Sequence, residues 1–195
     1  SLHDALPICR GREGTLPTLQ RLGEQMGYSV SVVEPVADPQ NGAISSSRIR
    51  DLLARAEIRE AAELLGRRYS VEGFITHGDG RGHGLGFPTA NIAIPAQRLA
   101  PGHGVYATWI TLQGQKWPAV TNIGLRPTFE NNAAQVRIEA HILDLPGDPD
   151  LYGQPVRLEF VDYLRPEMRF AQIQELIDQI HQDIQKSREV FSRDS

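Results

Sequence analysis

The sequence is poor in cysteine, lysine and aromatic residues, and each shortage removes a class of protein. Its one cysteine, Cys9, cannot close an intrachain disulfide or supply a cysteine zinc site, so a reducing, cytoplasmic setting is expected. No window approaches the roughly eighteen apolar residues of a membrane span, and the start lacks the basic-then-apolar order of a secretory signal. Positive charge is also short: 20 Lys+Arg face 24 Asp+Glu, a net charge of -4, and only Lys116 and Lys186 are lysines. With aromatics at 7% as well, a basic groove with stacking platforms for nucleic acid is not expected. The nucleotide fingerprints are missing too, since no Lys-Ser or Lys-Thr pair follows the glycines and no G-x-G-x-x-G fits.

What is present suffices for a core. Of 195 residues, 40% are hydrophobic and 23% charged, enough for one large domain or one compact domain plus a fragment. Residues 1–9 have neither period nor caps and read as a non-native remnant. Leu16, Leu19, Leu22 and Met26 recur at helical spacing before Gly27, and Val30, Val32 and Val33 then read as a short strand. Serines 45–47 can cap a helix driven by Ile49, Leu52, Leu53 and Ala56, and Ile58, Ala61, Ala62 and Leu65 drive another up to Gly66. From Tyr69 the pattern turns to β: Tyr69–Thr76, Val105–Leu112, Trp117–Ile123, Val136–Leu143 and Val156–Tyr163 are strand-like, with a hairpin signal at Gln113-Gly114. Phe170, Ile173, Ile177, Ile180 and Ile184 form a closing helical stripe after Pro166. Consecutive strands followed by one helix predict a mainly β protein, a small antiparallel barrel behind an α/β fragment.

Three segments could carry chemistry. From His77 to Asn91, glycine occupies every second position from Gly78 through Gly80, Gly82 and Gly84 to Gly86, with Arg81 among them. Such a run suits close backbone approach to an anion, or equally a flexible surface loop. Thr89 and Asn91 follow Pro88 two apart, so on an extended chain a hydroxyl and an amide oxygen share one face, hard donors suited to Mg²⁺ or simply a turn-capping pair. In Val136–Ile142, alternation sets Arg137, Glu139 and His141 on one face, where Glu139 could accept a hydroxyl proton or merely pair with Arg137. The run Asn122-Ile123-Gly124-Leu125-Arg126-Pro127-Thr128-Phe129 is a strand end entering a loop, a lid or an ordinary connection.

Together Gly86-Phe87-Pro88-Thr89-Ala90-Asn91, Asn122-Ile123-Gly124, Glu139-Ala140-His141 and Leu164-Arg165-Pro166-Glu167, in this order, closely resemble riboflavin kinase over residues 67–191. The resemblance implies a six-stranded Greek-key barrel with a C-terminal helix, and the substrates riboflavin and ATP with Mg²⁺, giving FMN and ADP. It implies ATP contacts from Gly78, Gly80, Arg81, Gly82, Gly84, Gly86, Pro88, Thr89 and Asn91, and Mg²⁺ on Thr89 and Asn91. Glu139 would be the base, and Asn122, Arg126, Thr128, Arg165 and Phe170 would meet the flavin. Residues 10–66 resemble the end of the FMN adenylyltransferase domain of bifunctional enzymes, with Ser47 where threonine is usual, and 67–195 the kinase domain. No His-x-Gly-His phosphate loop occurs, so FAD synthesis is not expected of this chain. A noncatalytic flavin-binding barrel is the alternative, although it would have no use for Thr89, Asn91 and Glu139 together. No membrane or nucleic-acid partner is expected, and no oligomeric state is defined.

Overall fold

Local signals place the helices. Thr15 accepts from the Thr18 N–H to cap α1 (Leu16–Met26), and Gly27 ends it at φ 77° in the left-handed region glycine adopts without strain. Ser45 caps α2 (Ser46–Ala54) in the same way through the Arg48 N–H, and α3 (Ile58–Leu65) follows. The computed structural model describes residues 14–33, 36–38, 42–78, 82–126, 135–147 and 149–193. Packing divides the chain into Ser1–Ala43 and Ile44–Ser195.

In the first unit a two-residue pairing joins β1 (Ala37–Asp38) to β2 (Gly42–Ala43). The strand expected at Val30, Val32 and Val33 is not formed: those residues carry no ladder, and Val33 is 90% exposed. β-branched composition alone does not make a strand without a partner edge.

The second unit is a closed antiparallel barrel of six strands. They are β3 (Ser70–Thr76), β4 (Ala90–Ala93), β5 (Gly104–Leu112), β6 (Gln115–Arg126), β7 (Gln135–Ile142) and β8 (Pro155–Arg165), in the order β3-β4-β7-β6-β5-β8 with β8 returning to β3. The β4–β5 and β7–β8 connections pass to non-neighbouring strands, which is Greek-key order. Between β5 and β6, Gln113 at φ 49° and Gly114 at φ 81° form the two-residue turn that matches strand twist. Alternation then sorts each strand: Tyr106, Ile110, Ile123, Ile138, Leu158 and Phe160 fill the interior. Val105, Ala107, Val120 and Leu143 face out beneath α4 (Ile173–Arg193), whose Ile184, Val190 and Phe191 cover them. The final helix begins three residues after Phe170, which therefore lies outside the helical stripe in which its spacing had placed it.

Leu52, Leu53, Ile58 and Ala61 belong to the same buried cluster as the barrel interior, and the Gly102 N–H donates to the Leu53 carbonyl at 2.8 Å. Packing thus unites α2 and α3 with the barrel, whereas the sequence reading expects a boundary after Gly66. Leu53→Ala is expected to destabilise the barrel by about 2–5 kcal/mol, as for other buried leucines. Chemical denaturation followed through Trp109 and Trp117 checks this; an unchanged midpoint would show that the helices are not part of its core.

Candidate active site

Alternation around the closed sheet sets a polar row on its outer wall. Asn91 on β4 is level with Glu139 on β7, and Glu139 with Asn122 on β6. Residues so paired lie about 5 Å apart at Cβ, close enough for one small group to touch all three. Arg137 ties the row together, donating from Nε to Asn91 Oδ1 at 3.2 Å and from Nη2 to Glu139 Oε1 at 2.7 Å. Asn122 Nδ2 in turn donates to Glu167 Oε1 at 3.3 Å.

The glycine run meets this row where glycine is required. A Cβ at Gly78 would collide with the side-chain amide of Asn91, and one at Gly82 with the Phe87 carbonyl while lying 3.3 Å from Thr89 Oγ1. Gly82 opens a tight turn through a 3₁₀ segment, His83–Leu85. Its carbonyl accepts from the Leu85 N–H at 3.1 Å and the Phe87 N–H at 2.9 Å, so these two amides are satisfied within the loop. Gly86 takes φ 84°, and Gly84 is exposed. Phe87 then stands edge-on to His141 of β7 and His181 of α4, with centroids 5.7 and 5.2 Å away, and the Pro88 carbonyl accepts from His141 Nδ1 at 2.8 Å. The segment thereby spans from barrel to helix.

Beneath it lies a cavity of about 510 Å³ whose walls include Gly82, Thr89, Asn122, Glu139, Arg165 and Phe170. Val105, Val120, Met168, Leu176 and Ile180 make much of the wall apolar. A second cavity, about 550 Å³, lies along Ile75, Pro88, Thr89, Leu145, Leu151 and Tyr152. Thr89 borders both. Tyr152 stacks on His77 with centroids 3.7 Å apart. Nothing in the sequence marked these walls beyond turn residues after β7, because the loop comes back to β3 only when the barrel closes.

The structure brings together Glu139, Thr89, Asn122, Arg165, Phe170 and Gly82 around one cavity, with Asn91 beside Glu139. Gly80, Arg81 and Thr128 lie outside the described residues, and Arg126 is placed only as the last residue of β6. Arg165 has its guanidinium committed: Nε and Nη2 hold Asp183 of α4 at 2.8–3.0 Å, and Nη1 donates to the Pro166 carbonyl at 2.9 Å. Asp183, 2% exposed, also accepts from Gln179. Spacing did not reveal this buried pair, which joins the end of β8 to a residue of α4 18 positions on.

Thr89, Asn91 and Glu139 offer hard oxygen donors. Among the described residues no group of three or more His, Cys, Asp or Glu could hold a metal ion. The arrangement fits a cation that takes only one or two protein ligands and completes its shell with phosphate oxygens, as Mg²⁺ does.

A closed Greek-key barrel with polar side chains in the wall of a largely apolar cavity, and a second cavity meeting it at Thr89, has the form of a small-molecule binding site. The riboflavin kinase (flavokinase) family matches residues 65–191, and the chain belongs to that family. It is 36% identical to the bifunctional riboflavin kinase/FMN adenylyltransferase of Pseudomonas fluorescens over 91% of this chain and 55% of that protein. The corresponding Bacillus subtilis protein is 37% identical over 83% of this chain and 51% of its own length. The chain thus spans about half the length of these curated relatives. A Streptococcus pneumoniae crystal structure titled as a macrolide-efflux protein superposes with a TM-score of 0.79 at 31% identity, covering 94% of this chain and 58% of that one. No described helix of the present chain is long and apolar enough to cross a membrane.

Removing Asp183 would strand the Arg165 guanidinium, whose side chain is 13% exposed. Asp183→Ala is expected to cost about 3–5 kcal/mol, and Asp183→Asn less because it keeps an acceptor. Equilibrium urea unfolding measures both; equal stability of Asp183→Ala and the parent would show that the pair holds nothing in place.

Proposed function

We propose that this chain transfers the γ-phosphoryl group of ATP to the 5′-hydroxyl of riboflavin, giving FMN and ADP. The observation that carries this reading is the pair of cavities meeting at Thr89, with Glu139 in the wall of one. Both volumes are of the size that small ligands occupy, and a two-substrate transfer needs two such sites in contact.

Riboflavin occupies the cavity beneath α4, its ring against Phe170 and the apolar wall and Asn122 toward its polar atoms, with Arg126 and Thr128 as further flavin contacts by kinship. Arg165 acts there by holding α4 to β8 through Asp183. ATP lies along the second cavity with its phosphates at Thr89 and Asn91; Gly78, Gly82, Gly84, Gly86 and Pro88, and by kinship Gly80 and Arg81, are its further contacts. Thr89 and Asn91 hold Mg²⁺, which when bound neutralises charge on the transferring phosphoryl group. Glu139 accepts the hydroxyl proton as the oxygen bonds to the γ-phosphorus and the bond to the β-phosphate oxygen breaks. Arg137 holds Glu139 and Asn91 in register. With no covalent intermediate, the rate comes from alignment and charge stabilisation. Residues 67–195 carry this activity, residues 10–66 derive from the adenylyltransferase part named in the relatives, and the protein works in the cytoplasm.

Incubation with riboflavin, ATP and Mg²⁺ is expected to accumulate FMN, separated by chromatography; riboflavin binding without turnover would favour the noncatalytic barrel. Glu139→Gln keeps shape and reach but not basicity, so kcat should fall by roughly 10²–10⁴ with Michaelis constants little changed. Turnover near the parent rate in folded Glu139→Gln would leave Glu139 as a mere partner of Arg137. Thr89→Ala and Asn91→Ala should weaken Mg²⁺-ATP while sparing riboflavin affinity; equal loss of both would make the segment a structural turn.

A further inference from the structure

One wall of the second cavity is a connection between strands, and its two ends are held differently. At the far end the backbone returns to the sheet: the Gly153 N–H donates to the Ile75 carbonyl at 2.8 Å, and the Ile75 N–H to the Gln154 carbonyl at 3.0 Å. Inside, an Asx turn at Asp150 directs the Tyr152 N–H. At the near end the Leu143 N–H donates to Pro118, and the chain turns sharply at Asp144, which takes φ 60°. Left-handed backbone is uncommon outside glycine, although aspartate adopts it more readily than most residues. The Asp144 side chain is bound from α4. Arg188 grips both oxygens of Asp144, Nη2 to Oδ1 at 2.8 Å and Nη1 to Oδ2 at 3.0 Å.

We infer that Arg188 and Asp144 are positioning residues for the nucleotide, fixing the turn from which Leu145 and the following wall of the second cavity are aimed. This rests on the reading that ATP occupies that cavity. The pair lies outside both buried clusters, its side chains 54% and 55% exposed, so global stability has little need of it. A bidentate fork nonetheless fixes direction as a single point charge does not. The guanidinium holds the Asp144 carboxyl below the ordinary carboxylate range. The clamp is therefore intact above the usual carboxylate pKa and is lost only as pH falls through the lowered value.

Calorimetric titration with Mg²⁺-ADP and separately with riboflavin, on the full chain, tests the assignment. Arg188→Ala and Asp144→Gly, the latter retaining freedom at positive φ, should each weaken ADP about two- to fivefold. Riboflavin affinity and kcat at saturating ATP should stay within about twofold. Arg188→Lys should fall between, and the difference from the parent should shrink in about 1 M salt because the pair is exposed. ADP affinity unchanged in both variants, or ADP and riboflavin weakened in parallel, would overturn the proposal. Leu151→Trp, or Tyr152→Ala should that variant not fold, tests the underlying reading: either should weaken ADP by about tenfold or more. Intact ADP binding in a folded, riboflavin-binding Leu151→Trp would overturn the cavity assignment itself, whereas its loss beside an unaffected Arg188→Ala would overturn only the clamp.

Discussion

Closure of the sheet by pairing β3 with β8 is the constraint on which everything else depends. An open sheet of the same strands would leave two unpaired edges, and its faces would be free to exchange water and core. Once closed, each strand has one inside and one outside, and residue parity decides which side chains bury. Ile138 and Ala140 go in, so Glu139 must go out; Ile92 goes in, so Asn91 must go out. Register then levels Asn91, Glu139 and Asn122 across three strands. The polar row is a by-product of filling the barrel.

The outer wall becomes a cavity only because α4 covers part of it. Ile184, Val190 and Phe191 pack on the outward residues of β5 and β6, while the first turns of the helix stand over the polar row. Two arginine–carboxylate pairs tie this helix down, and their settings differ. Arg165–Asp183 is buried, so breaking it strands a charge and threatens the fold. Arg188–Asp144 is exposed and affects mainly the direction of a turn. One helix thus lines the first cavity and, through Asp144, grips the turn that precedes Leu145 of the second.

A phosphoryl transfer with no covalent step makes heavy demands on placement and light ones on special side-chain chemistry. The site has that character, with oxygen donors and amides set on strands, glycines where a Cβ would displace Asn91 or Phe87, and a roof segment satisfied by its own backbone bonds.

Much of this was legible in the chain, and the reason is local. Strand alternation, the Ser45 cap, the Gly27 and Gly66 stops and the Gln113-Gly114 turn are short-range effects, and they located the helices, five strands and the shared face of Glu139 and Arg137. The sixth strand, Ala90–Ala93, has too few residues to show a period and was expected only through kinship. Val30 to Val33 had strand composition without a partner edge, and Phe170 had helical spacing without being in the helix. The sequence by itself determined which side chains face together along each strand, since backbone geometry alternates wherever a strand forms. Tertiary structure alone decided that α2 and α3 join the barrel core, that Arg165 is bound to Asp183, that the loop after β7 walls a second cavity, and that Arg188 grips Asp144. Those contacts join residues far apart along the chain, and no local pattern encodes a distance that exists only after the barrel closes.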